Sequence, residues 1–229
     1  MNAEAFSRSA ALLGREAMER LAAARVLVVG VGGVGGWCAE ALVRTGVAHL
    51  SVMDDDTVAV SNINRQCPAT PATVGRLKVE AMRERLLSVN PDADVEALPV
   101  RFTGAEDVSG YDVVADAIDS VACKAALILK ASEVGVPVVS SMGAALRTDP
   151  SRVRVTRFEK VSGDGLARAL RRRFRAEGRF PGRFDCVWSD EPPRGCEVRG
   201  SLMQVTATFG MCLAARVVDI VSAPGGFLL

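Results

Sequence analysis

A run of glycines after the first apolar segment is the feature whose residue types and spacing point most directly to chemistry. The stretch "RVLVVGVGGVGGWCAEAL", residues 25–42, passes from an apolar strand pattern into five glycines within seven residues and then into a helical pattern. A glycine turn at the end of a strand lets the backbone approach a phosphate, and the N-terminus of the following helix supplies N–H donors and a positive dipole. We therefore expect a nucleotide to bind at four of these glycines, Gly30, Gly32, Gly33 and Gly35.

The identity of the nucleotide depends on the residues that follow the next apolar run. Asp54, in "MDDDTV", lies where a carboxylate accepts hydrogen bonds from a ribose, and both NAD and ATP carry a ribose. Asn62, Arg65 and Lys78 favour ATP, because an enzyme that attacks the α-phosphate needs cations beside the departing pyrophosphate. A redox or nucleotide-sensing module that uses NAD is the alternative, but it leaves Arg65 and Lys78 without a role.

The elements that must position these residues follow an alternating pattern. From residue 25 to about residue 141, apolar runs alternate with runs of helical period, which is typical of βα units that build a parallel sheet. Beyond residue 143, "RVRVTRFE" alternates with period two, which predicts an antiparallel strand pair. The chain has 229 residues, 49% of them hydrophobic, which suffices for one α/β domain. We expect a nucleotide-binding half at about residues 1–143 and a substrate and dimer half at about residues 144–229.

Composition narrows the setting in which the chain works. Six cysteines include no C-x-x-C pair, which argues against a structural zinc and favours a reduced, cytoplasmic protein. Cys186 and Cys196 lie in a polar, proline-rich stretch where a thiol could be exposed, although unreactive thiols are favoured. The apolar stretch of residues 205–221 contains Arg216 and Asp219 and is too short to cross a bilayer, so we expect a packed helix at a subunit interface and no membrane segment.

One basic patch stands out against a formal net charge of only +1. Seven arginines and two acidic residues lie between residues 165 and 185, so a polyanion could be met locally rather than by the whole surface. Four of the seven arginines follow the helical spacing i, i+4, i+7, i+11: Arg168, Arg172, Arg175 and Arg179. Such a stripe could follow an RNA backbone, although a solvated helix face gives the same pattern.

Five ordered motifs carry a family resemblance: "GVGGVGG", "DDDTVAVSNINRQ", "TVGRLKVE", "VNPDADV" and "DVVADAIDS". Together they resemble the E1-like ThiF/MoeB/HesA superfamily, whose members activate a carboxylate as an acyl-adenylate on a Rossmann-like fold. The resemblance implies ATP and Mg²⁺, with Asp119 as the magnesium ligand and Arg8 reaching into the ATP site of a partner in a homodimer. The implied catalytic set is Arg8, Arg65, Lys78 and Asp119. The implied nucleotide-binding set is Gly30, Gly32, Gly33, Gly35, Asp54, Asp56, Asn62, Arg65, Lys78 and Asp119.

The second half of the chain resembles one branch of that superfamily, the tRNA threonylcarbamoyladenosine dehydratases. The likeness lies in "SMGAA", a "DP" turn, the segment "KVSGDGLAR" and the arginine-rich helix. It implies adenylation and cyclisation of N6-threonylcarbamoyladenosine at position 37 of tRNA, and a tRNA-binding set of Arg168, Arg171, Arg172, Arg175 and Arg179. The alternative is an adenylyltransferase for a ubiquitin-like sulfur-carrier protein, a group that usually carries two C-x-x-C pairs. A monovalent cation near the site and a sulfur-relay protein partner are left open.

Overall fold

A computed structural model of the chain describes residues 4–195, 198 and 200–223. Across these residues one sheet contains the strands β1 (Arg25–Val29), β2 (His49–Met53), β3 (Asp94–Leu98), β4 (Val113–Asp116), β5 (Val138–Ser141), β6 (Val153–Arg157) and β7 (Asp185–Ser189). The α-helices are α1 (Ser7–Leu13), α2 (Arg15–Ala23), α3 (Gly35–Thr45), α4 (Lys78–Val89), α5 (Val121–Glu133), α6 (Gly165–Glu177) and α7 (Met203–Ser222).

The sheet has the order β3-β2-β1-β4-β5-β7-β6, and its strands are parallel except for β6, which pairs antiparallel with β7. This confirms the α/β, Rossmann-like prediction, including the antiparallel pair expected from the period-two pattern. Strand order reverses between β1 and β4, because the chain first winds outward to β3 and then returns past β1. In open α/β sheets the crevice at such a reversal, beyond the carboxyl ends of the strands, is where ligands bind.

Helices cover both faces of the sheet and bury its apolar side chains. On one face, α3, α4 and α7 supply residues such as Leu42, Met82 and Phe209 to a cluster with β1 and β2. On the other face, α5 and α6 contribute Ile128 and Phe174. α3 and α7 can approach closely because position 210 is a glycine. A Cβ there would lie 2.5 Å from the carbonyl oxygen of Val34.

α7 is the longest helix in the described part of the chain and one of its best-packed elements. The helix has 20 residues, more than the apolar stretch of residues 205–221 predicted. By length and composition alone it could cross a membrane, so the expectation that it is too short was wrong. The same composition suits a core helix, and Phe209 and Leu213 are indeed completely buried. Arg216 donates from Nε to Asp185 Oδ2 at 2.6 Å, so the charge within this apolar helix is paired on the protein.

Candidate nucleotide-binding site

A cleft of about 530 Å³ opens at the carboxyl ends of β1 and β4, where strand order reverses. Pockets of this size commonly hold nucleotide-sized ligands. Segments after β1, β2, β4 and β5 line it, together with the chain leading into α7. Nine residues of the predicted nucleotide-binding set lie in its wall: Gly30, Gly32, Gly33, Asp54, Asp56, Asn62, Arg65, Lys78 and Asp119.

The glycines after β1 divide into two kinds. Gly30 has φ +88° and a Cβ there would lie 2.9 Å from the carbonyl oxygen of Ala117, so this turn needs glycine to leave β1 beside the loop after β4. Gly32 and Gly33 face the cleft. Gly35 does not, because a Cβ there would overlap the carbonyl oxygen of Gly30. Its position at the start of α3 is therefore one of close packing.

Asp54, Asp56 and Lys78 form a linked acid–base group in the cleft wall, next to the glycine turn. Lys78, only 6% exposed, donates from Nζ to Asp56 Oδ2 at 2.6 Å and lies 3.9 Å from Asp54 Oδ1. Asp54 accepts from the backbone N–H of Val31 at 2.8 Å and of Asp56 at 2.9 Å. Burial raises the pKa of Asp54, and the nearby Lys78 ammonium opposes that rise.

Asn62 and Arg65 lie in and just after a short 3₁₀ turn, Val60–Asn62. The Oδ1 atom of Asn62 accepts from the backbone N–H of Ala59 at 3.1 Å, which leaves its amide nitrogen to donate into the cleft. Arg65 donates from Nη1 to the carbonyl oxygen of Ser61 at 2.9 Å and to Asn64 Oδ1 at 2.8 Å. These bonds fix the guanidinium, and the aliphatic part of the side chain lies against the glycine turn, since Arg65 Cγ lies 3.3 Å from where a Cβ on Gly33 would be.

Asp119, the implied magnesium ligand, lies three residues beyond β4, in the loop that leads to α5. Its carboxylate is exposed, lines the cleft and makes no hydrogen bond or ion pair to any part of the chain that the structure describes. Mg²⁺ prefers carboxylate oxygens and keeps several waters, so an accessible, unengaged carboxylate fits such an ion. Asp54, Asp55 and Asp56 also bring carboxylate oxygens within 4.8 Å of one another, but all three carboxylates are already engaged, Asp54 and Asp56 by Lys78 and backbone donors and Asp55 by Arg101.

A buried ion pair behind Asp119 was missed in the sequence. Lys124, fully buried in α5, donates from Nζ to Asp116 Oδ2 at 2.7 Å and to the carbonyl oxygen of Ser141 at 2.9 Å. The Oδ1 atom of Asp116 accepts from the N–H of Ile118 at 3.0 Å, so the pair fixes the loop that carries Asp119. A lysine inside the otherwise apolar run "KAALIL", eight residues after a strand-end aspartate, was the available signal.

The segment after β5 forms the remaining wall of the cleft. Gly143, Ala144 and Ala145 line it, as does Leu166 at the start of α6. Buried Arg147 ties this wall to α6: its Nε donates to the carbonyl oxygen of Gly143 at 2.9 Å, and its Nη2 donates to Asp164 Oδ2 at 3.0 Å.

Asp164 in turn caps α6 by accepting from the N–H of Ala167 at 2.8 Å. The arginine-rich helix thus begins at the cleft and is held there by a buried ion pair.

The arginines of this helix have different environments. Arg168, Arg172 and Arg175 are exposed, and their side chains make no hydrogen bond or ion pair within the described ranges. Arg171 instead turns back: its Nη2 donates to the carbonyl oxygens of Phe158 and Val161 at 2.8 and 2.7 Å, and its guanidinium lies 4.8 Å from the Phe158 ring centroid. Arg179 follows the left-handed cap at Gly178 and pairs with Glu133. The predicted stripe of four arginines therefore consists of three in the helix, Arg168, Arg172 and Arg175, because Arg179 lies beyond the helix end.

Arg8, Cys67 and Cys186 lie apart from the cleft wall, whereas Cys123 lines it. Arg8 is exposed on α1 and is not part of the cleft wall. Cys186, expected in a polar stretch, is fully buried on β7, and burial raises the pKa of its thiol well above the usual range. Burial also raises the pKa of Cys67 to about 12. Cys196 lies outside the described residues.

Comparison with known proteins agrees with this geometry. The model of the ThiF family matches residues 6–227. The chain is 38% identical over 192 residues to the tRNA threonylcarbamoyladenosine dehydratase of Bacillus subtilis, covering 82% of this chain and 75% of the relative. It is 40% identical over 197 residues to the enzyme of that name from Escherichia coli, covering 81% and 73%. The solved structure of E. coli TcdA in complex with ATP has a TM-score of 0.88 at 36% identity, covering 96% of this chain and 94% of that one.

These matches, with the strand order and the cleft, define an E1-like Rossmann fold of the adenylating type. The chain belongs to the ThiF family. Molybdopterin-synthase adenylyltransferase of E. coli, which represents the sulfur-carrier alternative, is a more distant relative, at 35% identity over 162 residues, 69% of this chain and 63% of the relative.

Proposed function

We propose that the chain is an ATP-dependent dehydratase that adenylates the carboxylate of N6-threonylcarbamoyladenosine at position 37 of tRNA and closes it to a ring with release of AMP. One observation carries the proposal: α6 begins in the wall of the ATP cleft, at Leu166, and exposes unpaired arginines along its length. A tRNA held by Arg168, Arg172 and Arg175 would thus bring its modified nucleoside to the cleft. This arrangement favours a tRNA substrate over the C-terminus of a sulfur-carrier protein. The nucleotide half, about residues 1–143, and the substrate half, about 144–229, meet there.

The chemistry balances in two steps. A carboxylate oxygen of the threonine group bonds to the α-phosphorus of ATP, and the bond to the pyrophosphate oxygen breaks, so that pyrophosphate leaves with its electron pair. A nucleophile within the same threonylcarbamoyl group then attacks the activated carbonyl carbon, AMP leaves with the former carboxylate oxygen, and one proton is released. The nucleoside loses the elements of one water, and the chain need only position the groups, stabilise charge and exclude water.

The polar cleft residues predicted from the sequence have roles in the first step. Asp54 holds the ribose, with Asp56 beside it, while the amide of Asn62 and the cations of Arg65 and Lys78 stabilise charge on the phosphates. Lys78 can take up this role because its partner Asp56 has a side chain that is 60% exposed and free to turn to solvent. Asp119 would hold Mg²⁺, which neutralises triphosphate charge when bound.

Several further properties belong to the same proposal. Arg8, outside the cleft of its own chain, would complete the site of a partner in a homodimer. The enzyme would act in the cytoplasm on its tRNA substrate and would need neither a structural zinc nor a membrane attachment. A sulfur-relay partner gains no support from Cys186, whose thiol is buried, and a monovalent cation near the site stays open.

The deciding experiment is mass spectrometry of nucleosides from tRNA that carries N6-threonylcarbamoyladenosine, after incubation with the protein and MgATP. We expect an ATP-dependent loss of about 18 mass units, the mass of one water. Lys78→Ala and Asp119→Ala should abolish the loss while the protein stays folded. An unchanged nucleoside, together with pyrophosphate exchange that depends on a sulfur-carrier protein, would overturn the proposal in favour of the adenylyltransferase.

A further inference from the structure

Phe180 is an exposed aromatic residue to which the proposed function gives no role. It is 70% exposed, and in the part of the chain that the structure describes it is the only exposed phenylalanine, tyrosine or tryptophan. It lies in the connection between α6 and β7, residues 178–184, just beyond the end of the arginine-rich helix. Phe184, at the other end of this connection, is buried and stacks on Phe158 with 4.7 Å between the ring centroids. The connection thus places one ring in the core and the other in solvent.

The chain is tied to the end of α5 on both sides of Phe180. Just before it, the guanidinium of Arg179 pairs with Glu133. Just after it, the N–H of Gly182 donates to Ser132 Oγ at 2.7 Å. A proline follows Phe180 directly and restricts both its own φ and the backbone of the residue before it. A phenylalanine on an unrestrained loop could fold back onto apolar surface, whereas these restraints hold this ring in solvent.

Unpaired cations flank the ring. Arg175, in the last turn of α6, and Arg183 are exposed, and their side chains make no hydrogen bond or ion pair within the described residues. The one acidic residue between them in the sequence, Glu177, pairs with Arg173. A single exposed apolar side chain is common on protein surfaces. An exposed ring beside unpaired arginines is instead typical of proteins that bind unpaired nucleotides, because the base stacks on the ring and the cations hold the phosphates.

The length of α6 separates this ring from the ATP cleft. Leu166 lines the cleft and Glu177 ends the helix, which at a rise of about 1.5 Å per residue places them about 17 Å apart. Successive nucleotides of a stacked strand are about 3.4 Å apart. A base at Phe180 would therefore lie several nucleotides from the one that reacts in the cleft, and the exposed Arg168 and Arg172 lie between the two positions.

We propose that Phe180 is a stacking platform for an unpaired base of the tRNA, with Arg175 and Arg183 on the adjoining phosphates. The inference rests on the tRNA substrate proposed above and adds a contact of a different kind. The arginines meet phosphates, which every RNA carries, whereas the ring accepts only a base that has left its duplex. Phe180 therefore gives the enzyme a preference for the loops of a tRNA over double-stranded RNA.

The test compares the binding of tRNA that carries N6-threonylcarbamoyladenosine to Phe180→Ala and Phe180→Trp, by fluorescence anisotropy at several salt concentrations. Phe180→Ala should weaken binding about 5- to 150-fold, the range expected for the loss of one stacked base. The slope of affinity against salt concentration should not change, because no phosphate contact is lost. Phe180→Trp should bind at least as tightly as the unsubstituted chain, because its larger ring also stacks.

Val74→Ala is the matched control, since it removes another exposed apolar side chain just before α4, the helix that covers the opposite face of the sheet. It should leave tRNA binding intact. Neither Phe180 nor Val74 lines the cleft, so both alanine variants should keep the melting temperature of the unsubstituted chain and its rise with MgATP. A fully base-paired RNA duplex is the control ligand, and Phe180→Ala should bind it as the unsubstituted chain does.

Phe180→Leu distinguishes stacking from a general apolar contact. The inference is wrong if Phe180→Leu retains full affinity for the tRNA, if Phe180→Ala loses none, or if Phe180→Ala weakens duplex binding equally. A melting temperature of Phe180→Ala well below that of the unsubstituted chain would show that the ring supports the fold, which also overturns the inference. If the unsubstituted chain does not bind the tRNA at all, the proposed function itself fails.

Discussion

At the scale of single residues, the site is held by two acid–base pairs that differ in burial. Lys124 and Asp116 are both fully buried, whereas Lys78 is buried against Asp56, whose carboxylate reaches solvent. A buried pair cannot exchange partners without exposing an uncompensated charge, but a half-exposed one can. The first pair therefore suits a fixed support for the Asp119 loop, and the second suits a cation that must change partners when phosphate arrives.

Lys124→Met should destabilise the fold strongly, because it leaves the Asp116 carboxylate buried and unpaired. We expect a loss of about 3–5 kcal/mol in the free energy of unfolding. Chemical denaturation measures this loss, and the double variant Lys124→Met with Asp116→Leu should recover part of it. A single variant with unchanged stability would contradict the assignment of a buried ion pair.

The carboxyl group of Asp54 makes the free energy of unfolding of the nucleotide-free protein depend on pH. Its pKa is raised in the fold, so the folded state binds this proton more tightly than the unfolded state does. The corresponding stability is present at acid pH, below the unfolded pKa near 3.8, and is lost as pH rises through the raised value. Asp54→Asn cannot titrate, so its stability relative to the unsubstituted chain should improve as pH rises from about 4 to 6. Urea denaturation across that range checks this, and a difference that does not change with pH would refute it.

At the scale of elements, α6 connects the cleft to the surface. Asp164 caps the helix and Arg147 binds the cap, so the helix start and the wall at Gly143 move as one unit. The exposed arginines lie further along the same rigid rod. Substitution of the exposed arginines should therefore weaken tRNA binding without changing ATP binding, because only the first turn of α6 lines the cleft.

Arg172→Glu with Arg175→Glu should weaken tRNA binding and flatten its dependence on salt, because fewer phosphate contacts release fewer counterions. The ATP-induced rise in melting temperature should not change, since neither side chain lines the cleft. Fluorescence anisotropy at several salt concentrations measures the effect. The double variant Arg15→Glu with Arg76→Glu, which makes the same charge change elsewhere, should retain affinity, and an equal loss there would show that only net charge matters.

The sequence predicted the elements more fully than their ends and contacts. The glycine turn, the alternation of strands and helices and the antiparallel β6–β7 pair all follow from local patterns. The end of α6 at Glu177 was missed, although Gly178 was its signal, so Arg179 was placed on the helix. The bonds of Arg171 to backbone carbonyls, the burial of Cys186 and the pairing of Lys124 with Asp116 depend on contacts between distant segments, which no local pattern encodes.

At the scale of the whole molecule, the proposed role of Arg8 predicts sites that are shared between two copies. It is exposed on α1 and outside its own cleft, so a catalytic role requires a partner chain. If the role is in trans, mixing inactive Arg8→Ala with inactive Asp119→Ala should restore activity, because half of the dimers then contain one intact site. Random exchange predicts roughly a quarter of the full rate. Activity that stays absent after subunit exchange, verified by mass spectrometry of the mixed dimer, would place Arg8 outside the reaction.

The close contact between α7 and α3 at Gly210 also has a consequence for biosynthesis. α7 is the last helix that the structure describes, yet it packs on α3, the helix that follows the glycine turn, and Thr206 contributes to the cleft wall. A nascent chain that has emerged only as far as β7 therefore exposes one apolar face of its sheet and holds an incomplete cleft. A complete nucleotide site must await the synthesis of α7, and until then the apolar face of the growing polypeptide is exposed to aggregation.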